Sequence, residues 1–121
     1  MSENGNLKKY DLEDRTLAFA KKVRGFVRTL RKTTANIEDE KQLIRASGSV
    51  GSNYIEANES LGKKDFLMKI KICRKEAKES RYWLRLVDNN YSPDQEKVRT
   101  ELEIEATELM NIFGSILRKS E

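Results

Sequence analysis

A protein site draws its chemistry from few side-chain types, and this 121-residue chain omits the commonest of them, having no histidine. That removes the usual general base and the usual nitrogen ligand for metals. It also closes the di-iron option of helical bundles, which needs Glu-x-x-His on paired helices. Cys73 is the single cysteine. With no histidine partner, and set among apolar residues at helical spacing, it reads as a buried thiol in a reducing cytoplasm rather than a nucleophile. Glu56, Glu76 and Glu79 are the carboxylates that spacing brings toward helix-packing surfaces. Pairing with Arg45, Arg81 or another nearby base, or bonds to small hydroxyls, accounts for them; a carboxylate-only metal site is the sharper and rarer alternative. Gly62-Lys63 fails as a phosphate loop, because Ala57 stands where a Walker A motif needs its first glycine and Lys64 where it needs Ser or Thr. No catalysis, metal or cofactor is expected.

What remains is charge. Lys and Arg number 24 against 20 Asp and Glu, a formal net charge of only +4, yet the signs are segregated along the chain. Seven bases and no acid lie between Arg15 and Asn36, and nine bases against three acids between Lys63 and Arg85. From Ser92 to Glu121 the balance reverses, to seven acids and four bases. At helical spacing Lys21, Arg24, Arg28, Arg31 and Lys32 fall opposite an apolar stripe, and Lys71, Arg74, Lys75, Lys78, Arg81 and Arg85 form one flank of a later helix. Such faces attract a polyanion. The plainer alternative is a solvated surface, or salt bridges in which the acids of the last helix answer a neighbouring subunit.

The elements that must carry these faces are helices. Charged residues make up 36% of the chain and aromatics 7%, with one Pro and six Gly, a profile of long helices rather than sheets. A loose arm is expected over residues 1–10, then a single domain over 11–121. Asp11 or Asp14 caps a first helix to Lys32 or Thr33, with Leu12, Thr16, Phe19, Val23, Phe26, Val27 and Leu30 on one face. The second helix carries Glu38-Asp39-Glu40 in its first turn, where the helix dipole favours acids, and Leu43, Ser47, Val50, Tyr54, Ala57 and Leu61 on its main stripe. A third runs from Lys63 to Asn89, and Ser92-Pro93-Asp94-Gln95 spells the start of a fourth. Short connections make consecutive helices antiparallel neighbours, so the expected fold is an all-α, up-down-up-down four-helix bundle. No window approaches the roughly 18 apolar residues of a membrane span, and Met1 to Lys9 lacks the apolar segment of a signal peptide. Asn58-Glu59-Ser60 matches a glycosylation sequon by chance.

Two features suggest close packing. Gly48 and Gly51 each cost roughly 1 kcal/mol against Ala in a helix interior, so a near approach of another element is expected there. The third helix carries a main stripe, Phe66, Ile70, Cys73, Ala77, Ser80, Leu84 and Val87, and a second series that includes Met68, Ile72, Trp83 and Leu86. A helix with two apolar stripes is enclosed on two sides. Met68, Ile72, Trp83 and Leu86 are the expected subunit interface of a homo-oligomer, the alternative being a wide face used inside a single bundle, and Tyr82 and Trp83 read as packing residues rather than ligand-stacking ones.

Arg45-Ala46-Ser47, then Ser49-Val50-Gly51-Ser52-Asn53-Tyr54-Ile55-Glu56-Ala57, Lys64-Asp65-Phe66, and the run from Ile72-Cys73-Arg74-Lys75-Glu76-Ala77 through Tyr82-Trp83-Leu84-Arg85-Leu86 occur together and in this order. The chain thereby resembles the four-helix bundle proteins encoded in intervening sequences of bacterial large-subunit ribosomal RNA genes. The likeness spans Leu12 to Val87, and the fourth helix matches only in pattern. Ala57-Asn58 follows Glu56 where many relatives place a glycine, as in a variant branch. The resemblance implies an antiparallel bundle assembling into a ring, usually a homopentamer, without enzymatic activity. Related proteins are nucleic-acid-binding accessories to reverse transcriptases in diversity-generating retroelements. The resulting expectation is a cytoplasmic, non-enzymatic, oligomeric nucleic-acid-binding protein, accessory to a reverse transcriptase or another RNA-handling enzyme. The alternative is a protein-interaction scaffold whose basic face binds an acidic protein.

Overall fold

The computed structural model describes residues 3–90 and 92–120, with side chains described from Leu12 onward. Four helices follow one another: α1 (Glu3–Arg28), α2 (Thr34–Asn58), α3 (Lys63–Leu86) and α4 (Pro93–Ser120). No strand occurs among the described residues. Each helix packs on its neighbours in cyclic order, α1 on α2, α2 on α3, α3 on α4 and α4 back on α1, while among the described residues the backbones of the diagonal pairs stay apart. Cross-links fix the antiparallel sense. Arg45 reaches Glu76 while Glu56 reaches Lys69, so numbering rises on α2 as it falls on α3; Arg81–Thr107 and Arg85–Glu103 do the same for α3 and α4. This is the four-helix bundle that the apolar stripes require.

The centre is apolar and closed. Phe19, Val23, Leu43, Val50, Ile70, Cys73, Leu84, Leu109 and Phe113 are essentially inaccessible to solvent. Each such aliphatic or Phe side chain stabilises the fold by roughly 1.5–3 kcal/mol through burial. Tyr54 tilts against Phe113 at 5.9 Å between ring centroids. Burial pushes the Cys73 thiol up to about 12, with the charge of Glu56 adding to it, so the thiol stays protonated.

Several boundaries differ from the sequence expectation. α1 ends at Arg28, before Lys32, and α2 begins at Thr34. Thr33 is the N-cap of α2, its hydroxyl accepting from the Asn36 N–H at 3.1 Å. Glu38, Asp39 and Glu40 therefore sit beyond the first turn. Buried Asn36 explains the early start. Its side chain donates to the carbonyls of Arg31 and Asp88 and accepts from the Asp88 N–H at 2.9 Å, tying the α1–α2 turn to the end of α3. α3 stops at Leu86, and Asn90 takes a φ of 59°, a left-handed conformation Asn tolerates. Tyr91 lies outside the described residues. Pro93 opens α4 and Ser92 accepts from the Gln95 N–H at 3.4 Å, but the Gln95 side chain reaches the Thr29 carbonyl instead of closing a capping box. Leu61, expected on the α2 stripe, is fully exposed in the α2–α3 turn. The arm expected over residues 1–10 falls where no side chain is described; the backbone of α1 runs from Glu3.

The two glycines of α2 separate. A Cβ on Gly51 would stand 2.8 Å from Thr16 Oγ1, so close approach demands glycine there. Thr16 is itself held, donating to the carbonyls of Leu12 and Glu13. At Gly48 a Cβ would meet only the end of Arg24 at 3.6 Å, an ordinary contact.

Candidate functional site

The basic residues singled out by spacing lie at two opposite corners of the bundle, because α1 and α3 are diagonal. On α1 and the turn after it, Lys21, Arg28 and Arg31 are exposed and have no ionic partner among the described residues. Arg24 folds back onto the Ala20 carbonyl at 3.2 Å and over Gly48. Lys32 is engaged, bonding Glu40 at 2.7 Å and the Val27 carbonyl. On α3, Lys71, Arg74, Lys75 and Lys78 are exposed and lack an acidic partner among the described residues. Arg81 donates to Thr107 at 3.1 Å and Arg85 to Glu103 at 2.8 Å, so both lie on the α3/α4 seam. The structure thus brings together four of the α3 cations, and separates them from the α1 set.

The acids of α4 are answered within the chain at three places among the described residues, one of them inside the helix itself, where Arg99 bonds Glu96 at 3.1 Å. Glu103 takes Arg85, and Arg15 spans Glu105 at 2.7 Å and Glu108 at 2.8 Å. That pairing raises the Arg15 pKa above its ordinary value, with the hydrogen bond to Glu105 the main cause. Beside it a groove of about 940 Å³ opens between α1 and α4, floored by Phe19, Phe26 and Leu102 and rimmed by Asp14, Asp94 and Glu101.

The helix-facing carboxylates are paired. Arg45 holds Glu76 at 3.2 Å and Glu79 at 3.2 Å, and Glu56 takes Lys69 at 2.9 Å. Those bonds raise the pKa of Arg45, chiefly through Glu76, and that of Lys69, chiefly through Glu56. Among the described residues no group of three or more Cys, Asp or Glu is placed to hold a metal ion. No helix there is long and apolar enough to cross a membrane.

The expected interface stripe is split, because Ile72 and Trp83 lie about 40–60° around α3 from Met68 and Leu86. Met68 and Leu86 are about half exposed, whereas Ile72 and Trp83 turn inward and Trp83 packs against the core. Tyr82 is 58% exposed and stacks edge-on against Trp83 at 5.0 Å, so the outward stripe is Met68, Tyr82 and Leu86. Spacing also missed Arg118, because the fourth segment is acidic as a whole. The signal was Gly114: a buried glycine inside a helix, with Arg118 and Arg74 both near its face.

Residues 8–115 match the model of a family described as the 23S rRNA-intervening sequence protein, a match that runs through most of α4. A crystal structure of a protein of unknown function from the S23 ribosomal protein family of Bacteroides thetaiotaomicron superposes with a TM-score of 0.75 at 28% identity, covering 88% of this chain and 97% of that one. No curated protein matches.

Proposed function

This chain belongs to the 23S rRNA-intervening sequence protein family, and on that premise we propose that it is a cytoplasmic, non-enzymatic protein that assembles with itself and binds the phosphate backbone of nucleic acid. One observation carries the reading. Seven exposed cations on two faces, Lys21, Arg28, Arg31, Lys71, Arg74, Lys75 and Lys78, have no acidic partner among the described residues, although Arg15, Lys32, Arg45, Lys69 and Arg85 are each held by a carboxylate of another element. Unpaired surface bases repel one another until a polyanion neutralises them and releases its counterions. Sequence preference should be slight, since no base-reading motif is present and Trp83 is committed to packing. An accessory role beside a reverse transcriptase or other RNA-handling enzyme fits a protein that grips backbone and does no chemistry.

Self-association belongs to the proposal. The outward stripe of Met68, Tyr82 and Leu86 sits among bases on α3, while the α1/α4 groove is apolar with a largely acidic rim. Opposite faces of one chain that complement each other dock head to tail, and such contacts form a ring when the rotation between subunits closes. Five copies is the number the family resemblance implies. Repetition would multiply the grip on a long polyanion.

Anisotropy titrations with mixed-sequence single- and double-stranded RNA and DNA test the binding. Affinity should fall steeply with salt, and Arg24→Glu, Arg28→Glu, Arg74→Glu and Lys78→Glu together should abolish it with helicity and oligomer mass unchanged. If the unaltered protein binds none of these at low salt, the reading is wrong. If binding survives the four reversals but the oligomer falls apart, the bases join subunits instead.

A further inference from the structure

We propose that Arg74 of α3 and Arg118 of α4 form a clamp for one phosphate, seated over Gly114. This deepens the nucleic-acid reading and rests on it for the identity of the ligand. Gly114 is buried within α4, where glycine weakens a helix, so its presence calls for a reason. A Cβ there would stand 3.3 Å from Arg118 Nη1 and 3.9 Å from Arg74 Nε. The two nitrogens are therefore no further apart than those distances combined. The glycine leaves the face open, so the tip of Arg118 lies directly over it beside Arg74; a methyl group there would press that tip aside by a few tenths of an ångström. A phosphate bridges two guanidinium groups at such a spacing, because its oxygens accept charge-assisted bonds of roughly 2.7–2.9 Å from each fork.

No described anion occupies the place. Every described acid of α4 falls between Asp94 and Glu108, toward the other end of the helix. On α3, Glu76 and Glu79 are held by Arg45 on the α2 side, and Asp65 is in the first turn. Lys71, Lys75 and Lys78 surround Arg74 within about one helical turn, which extends the cationic field along a strand. Arg74 lies about 120° around α3 from Met68, so the clamp faces away from the stripe proposed for self-association.

Inorganic phosphate is the probe that separates this site from general attraction. In the full isotope-labelled chain, the Nε–Hε resonances of Arg74 and Arg118 should shift together and saturate, and the response should vanish in Arg74→Gln/Arg118→Gln. Both side chains are exposed, so folding should survive the change. With RNA, the same double variant should reduce the steepness of log K against log salt by about 0.7–0.9 per engaged protomer, the contribution of the one phosphate that the clamp neutralises. Lys21→Gln/Arg28→Gln should leave the phosphate response intact. A double Gln variant that binds RNA with the original salt slope overturns the clamp while the nucleic-acid reading stands. Saturable phosphate binding without RNA binding supports the clamp as an anion site and overturns that reading. Resonances that drift without saturating overturn the clamp.

Discussion

The two seams that flank α4 are built differently. On the α3 side the helices interlock along their length. Arg99 caps α3 there, donating to the carbonyls of Leu84 at 3.2 Å, Arg85 at 3.1 Å and Val87 at 2.7 Å, with only 12% of its side chain exposed. On the α1 side the helices touch sparingly, and an open groove runs between them. Arg15 bridges that gap to Glu105 and Glu108, and Gln95 reaches the Thr29 carbonyl. The electrostatics differ as well: acids crowd the groove, while the far end of the α3/α4 seam carries bases that have no acidic partner among the described residues. A formal charge of +4 conceals this. One helix presents an acidic, apolar-floored side and a basic, close-packed side, and that polarity is what a head-to-tail assembly and a phosphate-binding face both need.

The sharpest break in the comparison is a pair of arginine truncations. Arg99→Ala strips three helix-end carbonyls of a charged donor, and hydrogen bonds to charged groups contribute about 1.5–3 kcal/mol net, so a loss of about 3 kcal/mol is expected. Arg15→Ala removes a partly exposed bridge, with 27% of its side chain accessible, and should cost about 1 kcal/mol. Urea unfolding of both variants checks the order. A larger loss at Arg15 would mean that the α1/α4 seam, not the α3/α4 seam, holds the bundle.

The fold was legible in the sequence because its signal is redundant: each apolar stripe repeats over many turns, so Phe19, Leu43, Ile70 and Leu84 all landed in the core. Boundaries were not, since a single buried side chain moves them. Asn36 reads as a turn former, and its partner Asp88 is 52 residues away. The charge segregation was legible, but its placement was not. A count along the chain cannot say that α1 and α3 sit on a diagonal, so the sequence left open whether the two basic faces adjoin. Arg118 was hidden for the same reason, in a segment whose acids all lie at its other end. Gly51 was legible as a packing residue, although Thr16 as its partner was not.

That contact gives the next test. α1 is held by α2 on one side and by the loose seam on the other, so a wedge at Gly51 should release it. Gly51→Leu would drive a side chain into Thr16, and overpacking typically costs about 1–3 kcal/mol. Hydrogen exchange should show α1 amides losing protection before those of α3. Gly48→Ala is the counterpart: with only an ordinary contact at 3.6 Å, it should raise stability by up to about 1 kcal/mol. Equal losses at both glycines would show that α1 and α2 are in uniform close contact and that the weakness lies elsewhere.

The smallest expected effect probes the groove itself. Ile104 lines it and is 54% exposed in the single chain. A residue already in water contributes little to folding, and surface substitutions usually fall within about 0.5 kcal/mol. Ile104→Ser should therefore leave the unfolding midpoint of a dilute, dissociated sample almost unchanged. Assembly should respond differently, because a groove that receives another subunit buries Ile104 only in the oligomer. Light scattering across a dilution series should show Ile104→Ser dissociating at a higher concentration than the unaltered chain, and Leu86→Ser, on the opposite partner surface, should do the same. If the two together dissociate no more readily than either alone, the two surfaces meet each other, since removing either half of a contact removes the whole. If Ile104→Ser leaves the oligomer mass untouched at every concentration, the groove is not where subunits join, and its acidic apolar lining owes nothing to assembly.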